Sequence, residues 1–413
     1  MPKPFFTPPP PRRGPRPRGR GGGGGPSPGG GGGRAPPPPP PPLDAAAVPP
    51  AARRRALDAL AELTTAAATH LDDPDLFHRP RWRPKLHRHR TAGIAPAQLA
   101  EQLATAAENR TAAGLLAVHS VRAELLEHPG RRPCFTPEAL AELHRMLIAG
   151  DPNITAPGGF RRSAATVTWP DGQTFSIATA AGAQLRERIG YWHRWGARTT
   201  AHPLDAAALA MVALVTIHPF PDANGRIARL LGQCDLVAAG LLPGLLLDLD
   251  AWVEQHRTEH DTALVAAADG DLMRWGALFA RAVTDTARHR TGTLTAHGRL
   301  LDAAVAQVAD DAAAVAVLTQ LRGAPALSAA WLRDRIAHDP QPALDRLRAA
   351  GVLTDHPRLP GALVHPRLLD LLDAPYQPDP AGKSAERPPP STSSVSPSLP
   401  PSSGQQGDPK EAA

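Results

Sequence analysis

Aromatic side chains are scarce, 4% of the 413 residues with only two tyrosines, and cysteine is scarcer still, with Cys134 and Cys234 alone. Two isolated thiols with no Cys-x-x-Cys pair exclude a disulfide framework, and neither has an adjacent histidine to activate it, so a reducing cytoplasmic setting is expected. Long apolar runs are missing too. The longest, Ala206 to Ile217, falls short of the roughly 20 residues a bilayer span demands. The first residues hold no apolar stretch of the kind an export signal needs, so no membrane association is expected. Net positive charge is absent from most of the chain: residues 1–50 carry seven bases and one acid, which accounts for the whole formal charge of +6. The remainder is neutral and gives no basic body for nucleic acid.

Proline (49) and glycine (36) are plentiful instead. They concentrate in residues 1–50, a Pro/Gly/Arg-rich tail, and in 375–413, a Pro/Ser-rich tail, both expected to be disordered because neither has a core to bury. Between them we expect an N-terminal helical region with a basic linker (51–95), a main domain (96–290) and a smaller one (296–374). The run from Arg79 to Arg90 reads as a prolyl linker with solvated charge.

Leucine and alanine recur at helical spacing over 52–71, 96–127, 137–149, 179–196, 204–217, 226–239, 250–268 and 271–289. The fold class is therefore mainly α. One segment departs from it: Ala165 to Trp169 and Thr174 to Ile177 alternate around Pro170-Asp171-Gly172, which predicts a β-hairpin.

Helix 204–217 leads into His218-Pro219-Phe220-Pro221-Asp222-Ala223-Asn224-Gly225-Arg226, after which helical spacing resumes. Asp222 to Arg226 fall at the start of the second helix, where unpaired N–H groups and the dipole favour a polyphosphate. Arg226 and Arg229 share a face. The loop thus joins a general-base candidate (His218), a hard oxygen ligand for Mg²⁺ (Asp222), amide donors (Asn224, Gly225) and two guanidinium groups, the parts phosphoryl or nucleotidyl transfer requires.

His218 to Arg229 resembles the Fic family signature, H-P-F-x-[D/E]-G-N-G-R-x-x-R, at every specified position but one. Gly159-Phe160-Arg161, His202-Pro203-Leu204, and Gly270-Asp271 with Trp275 extend the resemblance over roughly residues 96–285. It implies a Fic-type helical bundle with a β-hairpin flap, and transfer of AMP from ATP to a Tyr, Ser or Thr hydroxyl of a target protein, or of the protein itself. His218 would be the catalytic base and Asp222 the Mg²⁺ ligand. Ala223, Asn224, Gly225, Arg226 and Arg229 would bind nucleotide, Arg229 at the γ-phosphate, while Phe220 would anchor the core. Val167, Thr168, Thr174, Phe175 and Ile177 would position the target peptide on the flap. Ala223 replaces the family's glycine, and its β-carbon narrows the backbone angles. Doc toxins, relatives that act as kinases, share that alanine but follow the asparagine with lysine where this chain has Gly225, so nucleotidyl transfer stands ahead of phosphorylation. The competing readings are a Fic-type transferase of another group, and a regulator or binding module with a non-catalytic Fic domain.

Many Fic proteins silence themselves with a glutamate on a helix bearing [S/T]-x-x-x-E-[G/N]; Glu108-Asn109 matches this in part, which makes Glu108 the inhibitory candidate. Residues 296–374 resemble the small winged helix-turn-helix domain often appended to Fic proteins. A helix from Leu327-Ser328 through Ile336 and another opened by Asp339-Pro340 precede strands at 352–354 and 362–364. Arg346 and Arg348 stand beside Asp345, too little charge to specify DNA, so docking or homodimer contacts compete with DNA binding. His256 and His260, four apart, lack a third zinc ligand and read as a solvated face.

Overall fold

The most buried helix follows directly from composition. Pro203–Ile217 (α4) offers Pro at its first turn and then an almost unbroken apolar run, so it has no solvent face and twelve of its fifteen side chains are buried. The computed structural model describes residues 46–72, 136–148, 156–168, 174–178, 180–356, 361–374 and 376–377. Around α4 lie Pro137–Leu147 (α2), Gly182–Arg198 (α3), Asn224–Ala238 (α5), Leu249–Gln255 (α6), Arg257–Ala268 (α7) and Leu272–Ala306 (α8). Trp192 on α3 and Trp275 on α8 donate their indole N–H groups to the Ala210 and Ala208 carbonyls, at 3.1 and 2.7 Å. Helices α3 and α8 are therefore pinned to α4 by direction as well as by apolar area.

Pro50–His70 (α1) buries Ala52, Ala56, Ala59, Leu60, Leu63, Ala66 and Ala67 along one stripe and lies against α8. Close approach depends on glycine: a β-carbon on Gly276 would stand 1.9 Å from the Ala47 carbonyl oxygen, and one on Gly298 would stand 2.2 Å from the His70 ring. Buried Asp205 fixes the entry to α1. One of its oxygens accepts from the Ala47 and Val48 N–H groups at 2.8 and 2.7 Å, and the other meets Arg53 at 2.6 Å. Ala47 and Val48, inside the stretch read from composition as tail, are thus core residues; the prolines and glycines around them hide a short apolar segment.

Two helix boundaries differ from the sequence pattern. The continuous helix expected over 250–268 breaks at His256 (φ −111°, ψ 31°) into α6 and α7. The helix expected to end at 289 runs on to Ala306. Threonines and glycines weaken its local propensity, yet it contains no proline, and Thr284, Thr286, Thr291, Thr293 and Thr295 return their hydroxyls to carbonyls one turn back. A buried face from Leu272 to Ala304 outweighs the propensity loss.

The hairpin is present as Ala165–Thr168 (β1) and Thr174–Ala178 (β2), antiparallel with Val167 opposite Phe175 and Thr168 opposite Thr174. Beyond α8 a second apolar cluster gathers Leu301, Val317, Leu321, Leu344, Leu347, Leu353 and Leu368. It is built from Ala312–Thr319 (α9), Ala326–Leu327 (β3), Ala329–Leu332 (α10), Gln341–Ala349 (α11), Thr354–Asp355 (β4), Leu363–Val364 (β5) and Pro366–Asp373 (α12), with strands in the order β3-β5-β4, all antiparallel neighbours. Leu327 is strand rather than helix; Ser328 caps α10, which ends at Leu332 instead of Ile336. The expected strand at 352–354 begins only at Thr354, because Val352 and Leu353 turn into the core. Among the described residues no helix is long and apolar enough to cross a membrane.

Candidate active site

Helix α4 ends because His218 adopts a left-handed conformation (φ 50°, ψ 62°) and Pro219 cannot continue the helix. The carbonyls left over at that end are claimed by one buried side chain. Arg161 donates from Nε to the His218 oxygen at 2.5 Å, from Nη2 to Ile217 at 3.0 Å and from Nη1 to Ser163 at 2.6 Å, while its own N–H reaches Pro219 at 3.0 Å. An arginine ahead of the hairpin in sequence thereby sets the angle at which the loop departs.

The His218 ring contacts the Val215 carbonyl through Nδ1 at 3.1 Å. That partner makes Nδ1 the protonated nitrogen and gives Nε2 the lone pair, the tautomer a general base needs. Burial lowers the His218 pKa and nearby Arg161 adds to the effect, against the Val215 carbonyl and Asp222, so the ring is neutral at pH 7. Beneath the loop, Phe220 is fully buried, stacked on His144 (centroids 3.9 Å apart) and on Phe160 (5.2 Å), as the core anchor expected of it. His144 accepts from the Gly158 N–H at 2.8 Å; burial pushes its pKa down to about 4 and keeps it an uncharged packing partner.

Asn224 closes the loop on itself, its Oδ1 accepting from the Phe220 N–H at 2.9 Å and its Nδ2 donating to the Phe220 carbonyl at 2.8 Å. Its side chain holds the loop's shape, and what remains at the start of α5 is main chain. Ala223, capping α5, stands at φ 64°, ψ 4°, a conformation that favours glycine. Asp222 accepts from the Ala223 N–H at 2.6 Å through Oδ1, and its Oδ2 lies 3.7 Å from Arg226 Nη2. One half-exposed carboxylate fits Mg²⁺, which binds through one or two carboxylates plus substrate phosphates. Among the described residues no cluster of three metal-ligating side chains exists.

Arg229, one turn along α5, is gripped by Asp250 of α6: Oδ1 receives Nε at 2.6 Å and lies 2.5 Å from Nη2. No sequence signal marked Asp250, which follows a capping aspartate in an acidic helix start. The histidine pair of 256 and 260 is not a solvated face. His256 stacks on Trp252 at 4.0 Å, and buried His260 sits edge-on to Trp275 with its Nδ1 3.0 Å from Asp261. Two tryptophans supply the apolar cover, and Arg229 is near enough to His260 to help lower its pKa behind the larger effect of burial.

Structure thus brings His218, Asp222, Ala223, Asn224, Gly225, Arg226 and Arg229 onto one loop and the helix it opens. Val167, Thr168, Thr174, Phe175 and Ile177 fall on the two hairpin strands, as expected. Glu108, Cys134 and the basic run 79–90 lie outside the described residues.

The geometry first defines a class: a neutral imidazole at the end of one helix, joined by a short loop to the N-terminus of the next, an arrangement suited to transfer chemistry at phosphate. Within that class, the sequence model of the Fic/DOC family matches residues 134–234. That match spans about a quarter of the chain. Protein adenylyltransferase Fic of Drosophila melanogaster is 34% identical over 133 residues, which cover 32% of this chain and 25% of that protein; the Drosophila mojavensis protein is 33% identical over the same length, 24% of its own. The matched region is about a quarter of those curated relatives. Solved structures are similar as well. A Fic family protein from Desulfovibrio desulfuricans gives a TM-score of 0.37 at 15% identity, covering 77% of this chain and 88% of that one. A Fic-domain-containing signalling protein from Bacteroides thetaiotaomicron gives 0.41 at 16%, covering 60% and 97%.

Proposed function

We propose that this protein is a Fic-type protein adenylyltransferase that moves AMP from ATP to a Tyr, Ser or Thr hydroxyl of a target protein or of itself. The observation that carries the reading is His218, neutral, held as the Nδ1–H tautomer by Val215 and delivered beside the start of α5. The relatives named protein adenylyltransferase support the same chemistry.

In this mechanism His218 Nε2 takes the proton of the target hydroxyl as its oxygen attacks the α-phosphorus. The bond from that phosphorus to the bridging oxygen breaks, and pyrophosphate leaves with the electron pair. N–H groups at Gly225 and Arg226 and the Arg226 guanidinium stabilise the charge that builds on the phosphates, with Arg229 further along the polyphosphate. Mg²⁺, held through Asp222, supplies neutralisation of phosphate charge when bound. Asn224 keeps the loop in the shape that aims His218. The hairpin edge aligns the target by adding its backbone as a strand.

We read residues 296–374 as a winged-helix-like domain used for docking or homodimer contacts rather than for reading DNA. Arg346 makes a two-point pair with Asp311, at 2.8 and 3.2 Å, and Arg348 pairs with Asp355. Residues 301–377 hold seven arginines against nine aspartates, and such a balance opposes a phosphate backbone.

Incubation with ATP labelled at either the α- or the γ-phosphate, Mg²⁺ and a cell lysate tests the activity. Label from the α-phosphate should reach protein and disappear in His218→Ala, while that variant still binds ATP, because the base acts on the hydroxyl. Transfer of the γ-label alone would replace this reading with a kinase; undiminished transfer by His218→Ala would remove the base assignment.

A further inference from the structure

We propose that Asp250 is a positioning residue that holds the Arg229 guanidinium over the first turn of α5, where the end of a triphosphate binds. The inference rests on the transferase reading above and adds to it a residue outside the loop and its helix. Arginine presents its donors as a planar fork on a flexible stem, so a guanidinium aimed at a phosphate needs a second contact to fix its rotation. Asp250 Oδ1 supplies that contact on one side of the fork, through Nε at 2.6 Å and Nη2 at 2.5 Å. The other nitrogen, Nη1, then lies over Gly225: a β-carbon there would stand 3.0 Å from it. The grip therefore takes Nε and Nη2 and leaves Nη1, the guanidinium atom nearest Gly225, at the helix N-terminus.

Asp250 can act as a fixed post because α6 is tied from several directions. Asp248 caps it by accepting from the Ala251 N–H at 3.3 Å, and the Trp252 indole donates to Asp285 on α8 at 2.9 Å. Gln255 at its far end donates to the Tyr376 carbonyl at 2.8 Å. Gly225 has a role in the same arrangement, since any side chain at that position would meet the guanidinium.

Calorimetric titration of the full-length protein with Mg²⁺-ATP and, separately, with AMP decides the matter. Asp250→Ala should weaken ATP binding by about tenfold or more, the scale of a lost charge-assisted contact, and leave AMP affinity nearly unchanged because AMP lacks the distal phosphates. Asp250→Asn, which keeps an oxygen acceptor, should restore part of the loss. On an Arg229→Ala background, Asp250→Ala should add nothing further. Unchanged ATP affinity in Asp250→Ala, or equal losses for ATP and AMP, would overturn the assignment. So would faster adenylyl transfer by Asp250→Ala, which would make the pair a lock on Arg229 instead of a support. A parent protein that binds no ATP fells the transferase reading, and this inference with it, whereas a parent that binds ATP as tightly as Asp250→Ala fells this inference alone. Should Asp250→Ala fail to fold, the Asn variant carries the same comparison.

Discussion

Ala223 caps α5 in a left-handed conformation in which its β-carbon crowds the following carbonyl, at a cost of roughly 1 kcal/mol. Glycine would relieve that strain, although it frees the unfolded chain and removes a buried methyl group, so the net effect is smaller than the strain itself. Ala223→Gly is expected to raise the denaturation midpoint by about 0.5 kcal/mol equivalent, read from urea unfolding. A lower midpoint would mean the methyl contact outweighs the backbone strain. Neighbouring residues show why the conformation persists. Asn224 locks the loop through two bonds to Phe220, and Asp222 takes the Ala223 N–H, so the loop over-determines the angle its cap must accept.

Helix α8 carries glycines with opposite duties. Gly276 faces the Ala47–Val48 backbone, which cannot swing aside because Asp205 holds both N–H groups, whereas Gly292 is exposed with nothing within 4 Å of an added β-carbon. Helix propensity alone predicts that alanine stabilises either site, by about 0.5–1 kcal/mol. Packing reverses the sign at one of them. Gly292→Ala should gain that amount, and Gly276→Ala should lose about 1–3 kcal/mol as the entry to α1 is displaced. Thermal unfolding of both variants beside the parent checks the pair; a gain at both positions would show that the 47–48 segment does not press on α8.

Across the whole molecule, α8 leaves the first apolar cluster, the second cluster forms around its far end, and the chain comes back at Tyr376. That ring is buried in the first cluster, edge-on to His289 at 4.8 Å, and its carbonyl receives Gln255. Tyr376→Ala should cost about 3 kcal/mol, the scale of a large core truncation, seen as a shift of the denaturant midpoint. An unaltered midpoint would place Tyr376 outside the core. Its return also ties α6, the helix of Asp250, to the end of the described chain.

Much of this was legible in one sequence. Helical spacing located α1, α2, α3, α4 and α5 within a few residues, because the apolar stripe each must bury is local information, and the alternation at 165–177 marked the hairpin for the same reason. The loop was legible because its polar groups are contiguous: histidine, carboxylate and arginines lie within twelve residues. What one sequence could not show is long-range pairing. Arg161 reaches across 57 residues to the end of α4, Asp205 across 158 to Ala47, and Asp250 finds Arg229 only because two helices meet. Tertiary packing likewise kept α8 helical through its threonines and buried His260 against Trp275. Residue types and spacing therefore marked the groups proposed for the chemistry, while their protonation state, orientation and support came from neighbours that only the folded chain brings close, where burial replaces water with a few fixed dipoles.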